Sequence, residues 1–330
     1  MAGSGGHCDG HCDGHPWRAP REGWRGAVWV PPPASRQVVT ESLPFSGDGA
    51  TEMALEFARV SESSSLPVRG RAARPSGRHR RPVPSQLPPE APALVLAVPG
   101  DASGAAAELA ATVRVDNPQI EVRLAGLGED GKELTSELEA AARSRPEDGV
   151  AAIVVPLLTG PHPVADRMIA EAVAESGATV TVTEHLGPHP LLAEALHIRL
   201  AEKDLARPDR VRLLNVSSPV DAVVLATVGG DRGAVEAQPT AVLLASRLTL
   251  PVLVASLDGA PSVADAAERL RGIGAGRIAL SPCLIGPEAA PGLADAAAGD
   301  AGIECAALLG SHGLIADLAA RAYGSVLAEA

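Results

Sequence analysis

From residue 93 to the end of the chain, short unbroken apolar runs alternate with longer stretches whose apolar positions recur every three or four residues. Runs of five or six with no polar interruption predict strands buried on both faces, and the longer periodic stretches predict helices. The pattern places strands at 93–98, 119–124, 151–156 and 178–183, then near 221–227, 250–256, 276–281 and 303–307. Helices are expected at 104–115, 132–144, 164–175 and 190–203, then near 233–248, 262–272, 288–299 and 313–328. Strands and helices in strict alternation with short joins imply right-handed crossovers and parallel sheets.

The pattern runs twice. Val155-Pro156-Leu157-Leu158-Thr159-Gly160-Pro161-His162 is answered by Ser281-Pro282-Cys283-Leu284-Ile285-Gly286-Pro287-Glu288. Leu186-Gly187-Pro188-His189 returns as Leu309-Gly310-Ser311-His312. A repeat of about 110 residues is a tandem domain, since solenoid units are far shorter. The expected fold is therefore α/β: two tandem doubly wound units, each a four-stranded parallel sheet with helices on both faces. Their expected limits are 93–205 and 206–330. Ligands of such sheets sit outside the carboxyl ends of the strands, and two facing copies make a cleft there.

Residues 1–92 hold no lasting period and are rich in Pro, Gly, Ser and Arg, which predicts a disordered tail. Five of the six aromatics (Trp17, Trp24, Trp29, Phe45 and Phe57) lie there, and only Tyr323 falls in the wound region. The two units must pack with Ala, Val, Leu and Ile. The tail carries eleven Arg against nine acids, for +2, and the remainder seventeen bases against thirty-one acids, for −14. Such an acidic body disfavours nucleic acid and draws cations. No run of 18 apolar residues argues for a membrane span, and the first residues lack a secretory pattern, which predicts a cytoplasmic protein. Cys283 and Cys305, in apolar runs, are expected to be reduced thiols.

Candidate chemistry gathers at the strand ends. His162 follows a strand in a Gly-Pro turn; it reads either as a metal ligand or proton acceptor or as a loop histidine. Asp166 is placed to share a cation or a hydrogen bond with it. Glu288, the counterpart of His162, reads as a cation ligand or an acid at a helix start. His189 and His312 stand in the same place in both copies, which predicts a local structural task at the start of a helix. Gly229-Gly230-Asp231-Arg232 forms a glycine-rich turn able to present amides to an anion, without matching a nucleotide fingerprint. His7, Cys8, His11, Cys12 and His15 make an HCDG tandem, either a metal-collecting segment or incidental low complexity.

A strand ending in Pro-Leu-Leu before His162, together with Leu-Gly-Pro-His-Pro-Leu-Leu-Ala-Glu-Ala-Leu at 186–196, resembles the CbiX/SirB family of sirohydrochlorin chelatases. The resemblance spans about residues 92–328. It implies a class II chelatase-like fold and ATP-independent insertion of cobalt or ferrous iron into sirohydrochlorin, toward sirohaem or cobalamin, with no nucleotide. Metal and tetrapyrrole would be the substrates, and sirohaem-pathway proteins the associates. In that family the first strand ends in a histidine; Pro99 occupies the place here, followed by Gly100 and Asp101. A family glutamate aligns with Gly128, beside Glu129; His162 and Asp166 match the family's second histidine and later aspartate. The resemblance thus implies His162 as a catalytic group and metal ligand and Asp166 as a further ligand; Glu129 would serve as a replacement catalytic acid, and Glu288, the counterpart of His162, as another metal ligand. Gly100, Asp101, Gly229, Gly230 and Arg232 would meet the substrate. The loss at Pro99 leaves a second reading open, a catalytically degenerate homologue that binds tetrapyrrole or metal or regulates a partner.

Overall fold

A computed structural model describes residues 87, 90–145, 149–208, 218–286 and 288–329. The expectations for residues 1–86, including the HCDG tandem, lie outside the described residues, whereas the end of the expected tail is ordered against the rest: Leu87 packs on the apolar core, and Arg145 donates to the carbonyl of Ala91. The elements run β1 (Ala93–Val98), α1 (Gly104–Asp116), β2 (Val122–Gly126), α2 (Lys132–Arg143), β3 (Ala152–Pro156), α3 (Pro163–Ser176), β4 (Val180–Val182) and α4 (Pro190–Glu202). The second copy follows as β5 (Ala222–Thr227), α5 (Gly230–Glu236), α6 (Gln238–Leu248), β6 (Val252–Ser256), α7 (Val263–Gly272), β7 (Ile278–Pro282), α8 (Leu293–Ala301), β8 (Glu304–Cys305) and α9 (Gly313–Leu327).

Each copy builds a four-stranded parallel sheet, in the orders β2-β1-β3-β4 and β6-β5-β7-β8. The registers match as well: Val95 faces Val154 across β1 and β3, and Val224 faces Leu280 across β5 and β7. The central strands are buried along their whole length, which explains their continuous apolar sequence. On β1 the larger side chains Leu94, Leu96 and Val98 point to one core, while Ala93, Val95 and Ala97 point to another.

Those cores define five layers. Helices α2 and α3 cover the outer face of the first sheet, with Leu134, Leu138 and Ile169. Helices α7 and α8 cover the outer face of the second, with Ala266, Leu270 and Ala298. Between the sheets lies one continuous core, fed by both sheets and by α1, α4, α6 and α9. The last helix of each copy reaches across: α9 packs on α1 and β3, and α4 packs on α6 and β7. The two repeats therefore share their largest core. Tyr323 of α9 is fully buried in it, and its hydroxyl donates to the carbonyl of Pro92 at 2.7 Å. Ser281 of β7 is buried in the same region with an unpaired hydroxyl, where the first copy has the apolar Val155.

Several boundaries differ from the sequence pattern. The expected strand 119–124 forms at Val122–Gly126, because Gly126 continues the ladder opposite Val98 rather than ending it. The expected helix 233–248 starts earlier and breaks at Ala237. Pro239, in the first turn of α6, lacks the amide that would have extended α5. The expected helix 288–299 starts five residues late, at Leu293 after Gly292, whose φ of 79° favours glycine.

Candidate functional site

Between the copies lies a cleft of about 350 Å³ at the carboxyl ends of β3 and β4 on one side and β5 and β7 on the other. The first copy contributes Thr159 to Pro161 and, beyond β4, Glu184, His185, Gly187 and Pro188. The second contributes Thr227, Gly233, Glu236, Ala237, Thr240 and Cys283. The floor is tied across the copies, with the Thr159 hydroxyl donating to the carbonyl of Cys283 at 2.6 Å. Burial pushes the Cys283 thiol up to about 12, so the sulfur stays protonated and unreactive. No Lys or Arg is among the lining residues, whereas Glu184 and Glu236 are.

His162 is the N-cap of α3. Its Nδ1 accepts the amide hydrogen of Ala165 at 3.2 Å, which satisfies one of the free donors of the first turn. His189 does the same for α4, accepting from Leu191 at 3.0 Å, and His312 for α9, accepting from Leu314 at 3.1 Å. The structural task expected of His189 and His312 is thus present, and His162 shares it. An imidazole whose Nδ1 accepts carries its proton on Nε2 when neutral. To take a second proton, or to offer Nε2 as a lone pair, His162 must give up the cap or change tautomer.

Asp166 is brought to His162, through the backbone: its Oδ2 accepts the His162 amide hydrogen at 3.1 Å. Its other oxygen, Oδ1, lies 2.8 Å from Nε2 of His185. Both oxygens are therefore engaged within the protein. His185 was not singled out by the sequence pattern. It follows β4, lines the cleft, and is one-quarter exposed.

The remaining expected residues stand apart from this group. Glu288 is buried, and its two oxygens accept the amide hydrogens of Ile285 at 2.8 Å and Gly286 at 2.6 Å. Burial raises its carboxyl above the usual range against the pull of those bonds. It stands at no helix start, since α8 begins at Leu293. Glu129, Asp101 and Arg232 are exposed and do not line the cleft. Gly100 has a φ of 76° and accepts, through its carbonyl, the amide hydrogen of Gly128 at 3.0 Å. The expected trio His162, Asp166 and Glu288 is not gathered: among the described residues no three His, Cys, Asp or Glu side chains form a metal-holding group.

The amides of Gly229 and Gly230, expected to meet a substrate carboxylate, already hold one. Asp258 accepts from Gly229 at 2.9 Å and from Gly230 at 3.0 Å, and the hydroxyl of Ser256 donates to it at 2.6 Å. Burial pushes the Asp258 carboxyl up, but the Ser256 hydroxyl and the two amides outweigh it and hold the group below its usual 3.8. A depressed carboxyl adds stability above its unfolded pKa and loses it as pH falls through the folded one. Asp258→Asn is therefore expected to cost about 1–2 kcal/mol at pH 7, given partial exposure. In urea titrations the difference between variant and wild type should narrow below pH 3.8.

Among the described residues no helix is long and apolar enough to cross a membrane. A search of curated proteins finds no match. Among solved structures, the periplasmic ribose ABC transporter of Conexibacter woesei DSM 14684 is similar at 13% identity, with 64% of this chain and 70% of that chain covered and a TM-score of 0.32. A fatty acid ABC transporter substrate-binding protein from Thermomonospora curvata is similar at 13% identity, covering 66% of this chain and 57% of that chain, with a TM-score of 0.27. An extracellular ligand-binding receptor from Verminephrobacter eiseniae ef01-2 gives 13%, 64%, 62% and 0.31 for the same quantities. Scores this low do not define a shared fold. The family comparison is more specific: residues 99–203, from the end of β1 through α4, match the CbiX model, so the first of the two wound copies is similar to a CbiX unit.

Proposed function

We propose that this protein is a sirohydrochlorin chelatase-type protein, in which the cleft between the copies brings together a tetrapyrrole and a divalent metal, cobalt or ferrous iron. The observation that carries this is the position of the cleft. It opens at the strand ends of a CbiX-type unit, where parallel sheets take their ligands. Its volume is near the lower end for ligand sites, so it would take one side of a macrocycle and leave the rest at the rim. With Glu184 and Glu236 inside and no Lys or Arg, the cleft favours the cation, and the acidic substituents of the macrocycle would point outward.

A second reading, a degenerate homologue that binds without turning over, is favoured by three specific observations. Pro99 stands where the resemblance calls for a histidine, His162 is committed to a helix cap, and the Gly229 and Gly230 amides hold Asp258. The two readings separate in one assay. Purified full-length protein is mixed with sirohydrochlorin and Co²⁺, and insertion is followed by absorbance. The chelatase reading expects insertion above the spontaneous rate in wild type, and faster insertion in Pro99→His. Tetrapyrrole binding without insertion in either protein leaves the degenerate reading. Neither binding nor insertion in either protein ends the tetrapyrrole assignment.

A further inference from the structure

Resting on the chelatase-type reading of the cleft, we propose that His185, held in place by Asp166, takes a pyrrole proton from the macrocycle as the metal enters. His185 is the one imidazole among the residues that line the cleft. Its Nε2 donates to Oδ1 of Asp166 at 2.8 Å, which fixes the ring and leaves Nδ1 with the lone pair. Asp166 is anchored in turn, because its Oδ2 accepts the His162 amide hydrogen at 3.1 Å. The His185 and Asp166 side chains are 25% and 37% exposed, so the pair is open to a ligand. This differs from His162, whose Nδ1 lone pair is already used by the amide of Ala165.

Insertion replaces two N–H protons of the macrocycle by one divalent ion. As a pyrrole N–H bond breaks, its electron pair stays on nitrogen and forms the bond to the metal. The first proton forms an N–H bond at Nδ1 of His185, and the imidazolium is balanced by the Asp166 carboxylate. The second proton leaves to water. His185 then returns its proton to solvent, and the metal remains divalent throughout. His185 would be the catalytic residue and Asp166 a positioning residue.

The assay uses full-length protein, sirohydrochlorin and Co²⁺, with thermal melts to confirm that each variant is folded. His185→Ala should lower kcat about 100-fold or more, while KM for the macrocycle stays within about threefold of wild type. His185→Gln, which preserves volume, should lose as much, and added imidazole should restore part of the rate of His185→Ala. Asp166→Asn should lose about 10-fold through misorientation of the ring. A wild type that inserts metal alongside a His185→Ala that keeps its kcat overturns the assignment of His185 alone. An increase in KM at constant kcat also overturns it, since that marks a binding contact. A wild type with no insertion overturns the chelatase reading and this step with it, and differs from the other two outcomes in the wild-type rate itself.

Discussion

Tyr323→Ala is expected to remove about 3–5 kcal/mol of stability, the range for truncating a large buried aromatic. Tyr323 is fully buried in the core that both copies share, and it is the only aromatic among residues 93–330. No neighbouring ring stands ready to fill the space. Its hydroxyl also satisfies the carbonyl of Pro92 at the entry to β1, so the last helix is fastened to the first strand. Tyr323→Phe isolates that bond and should cost about 1–2 kcal/mol, because the carbonyl is left unpaired. Domains of this kind are stable by about 5–15 kcal/mol, so the alanine variant should unfold at a clearly lower urea midpoint. Burial also pushes the Tyr323 phenol up to about 12 from 10.0. A phenol raised in the folded state adds stability below its unfolded pKa and loses it as pH rises through the folded value. Stability should thus fall between about pH 10 and pH 12 in wild type, and less so in Tyr323→Phe. As the chain has a single tyrosine, its ultraviolet titration reports this group alone.

Gly233→Ala should cost about 3 kcal/mol, at the upper end for forcing extra atoms into a packed site. An added Cβ would be driven into the carbonyl oxygen of Val228, which is backbone and cannot swing aside. Relief requires α5 to move, and α5 forms one wall of the cleft through Gly233 and Glu236. The variant should therefore lose ligand binding in the cleft as well as urea resistance. Gly299 in α8 gives the contrast. Nothing lies within 4 Å of a Cβ there, so Gly299→Ala should stabilise by about 0.5–1 kcal/mol through helix propensity. Equal effects at the two glycines would show that the close approach at Gly233 is absent in solution.

The fold was legible because its signals are local. Unbroken runs such as Ala93–Val98 and Ala222–Thr227 can only be strands covered on both sides, and the duplication checked each element against its copy. Where the reading slipped, a tertiary contact decided. The strand expected over 119–124 runs on to Gly126, where an added Cβ would meet the carbonyl of Gly100 at 2.7 Å. The site was less legible, for a reason that follows from the duplication. Residues kept in both copies, such as His189 and His312, serve the helix starts that both copies need. His185 has Leu308 as its counterpart, and Asp166 has Gly292, so the pair left no repeated trace. Its only signal was an imidazole at the carboxyl end of a strand, 19 residues from a carboxylate that meets it through tertiary structure.

The shared central core bears on how a ligand enters. With α9 packed on β3 and α4 packed on β7, the walls of the cleft are fastened to each other through the interior. A hinge between the copies would have to tear that core open, exposing Leu96, Leu196, Leu225 and Tyr323 together. Domain closure of the kind used by two-lobed receptors is thereby closed to this molecule. Admission falls to the rim, the turns at Gly160-Pro161 and Gly187-Pro188 and the start of α5. Binding kinetics should then respond to substitutions in those turns and be indifferent to the linker that joins the copies.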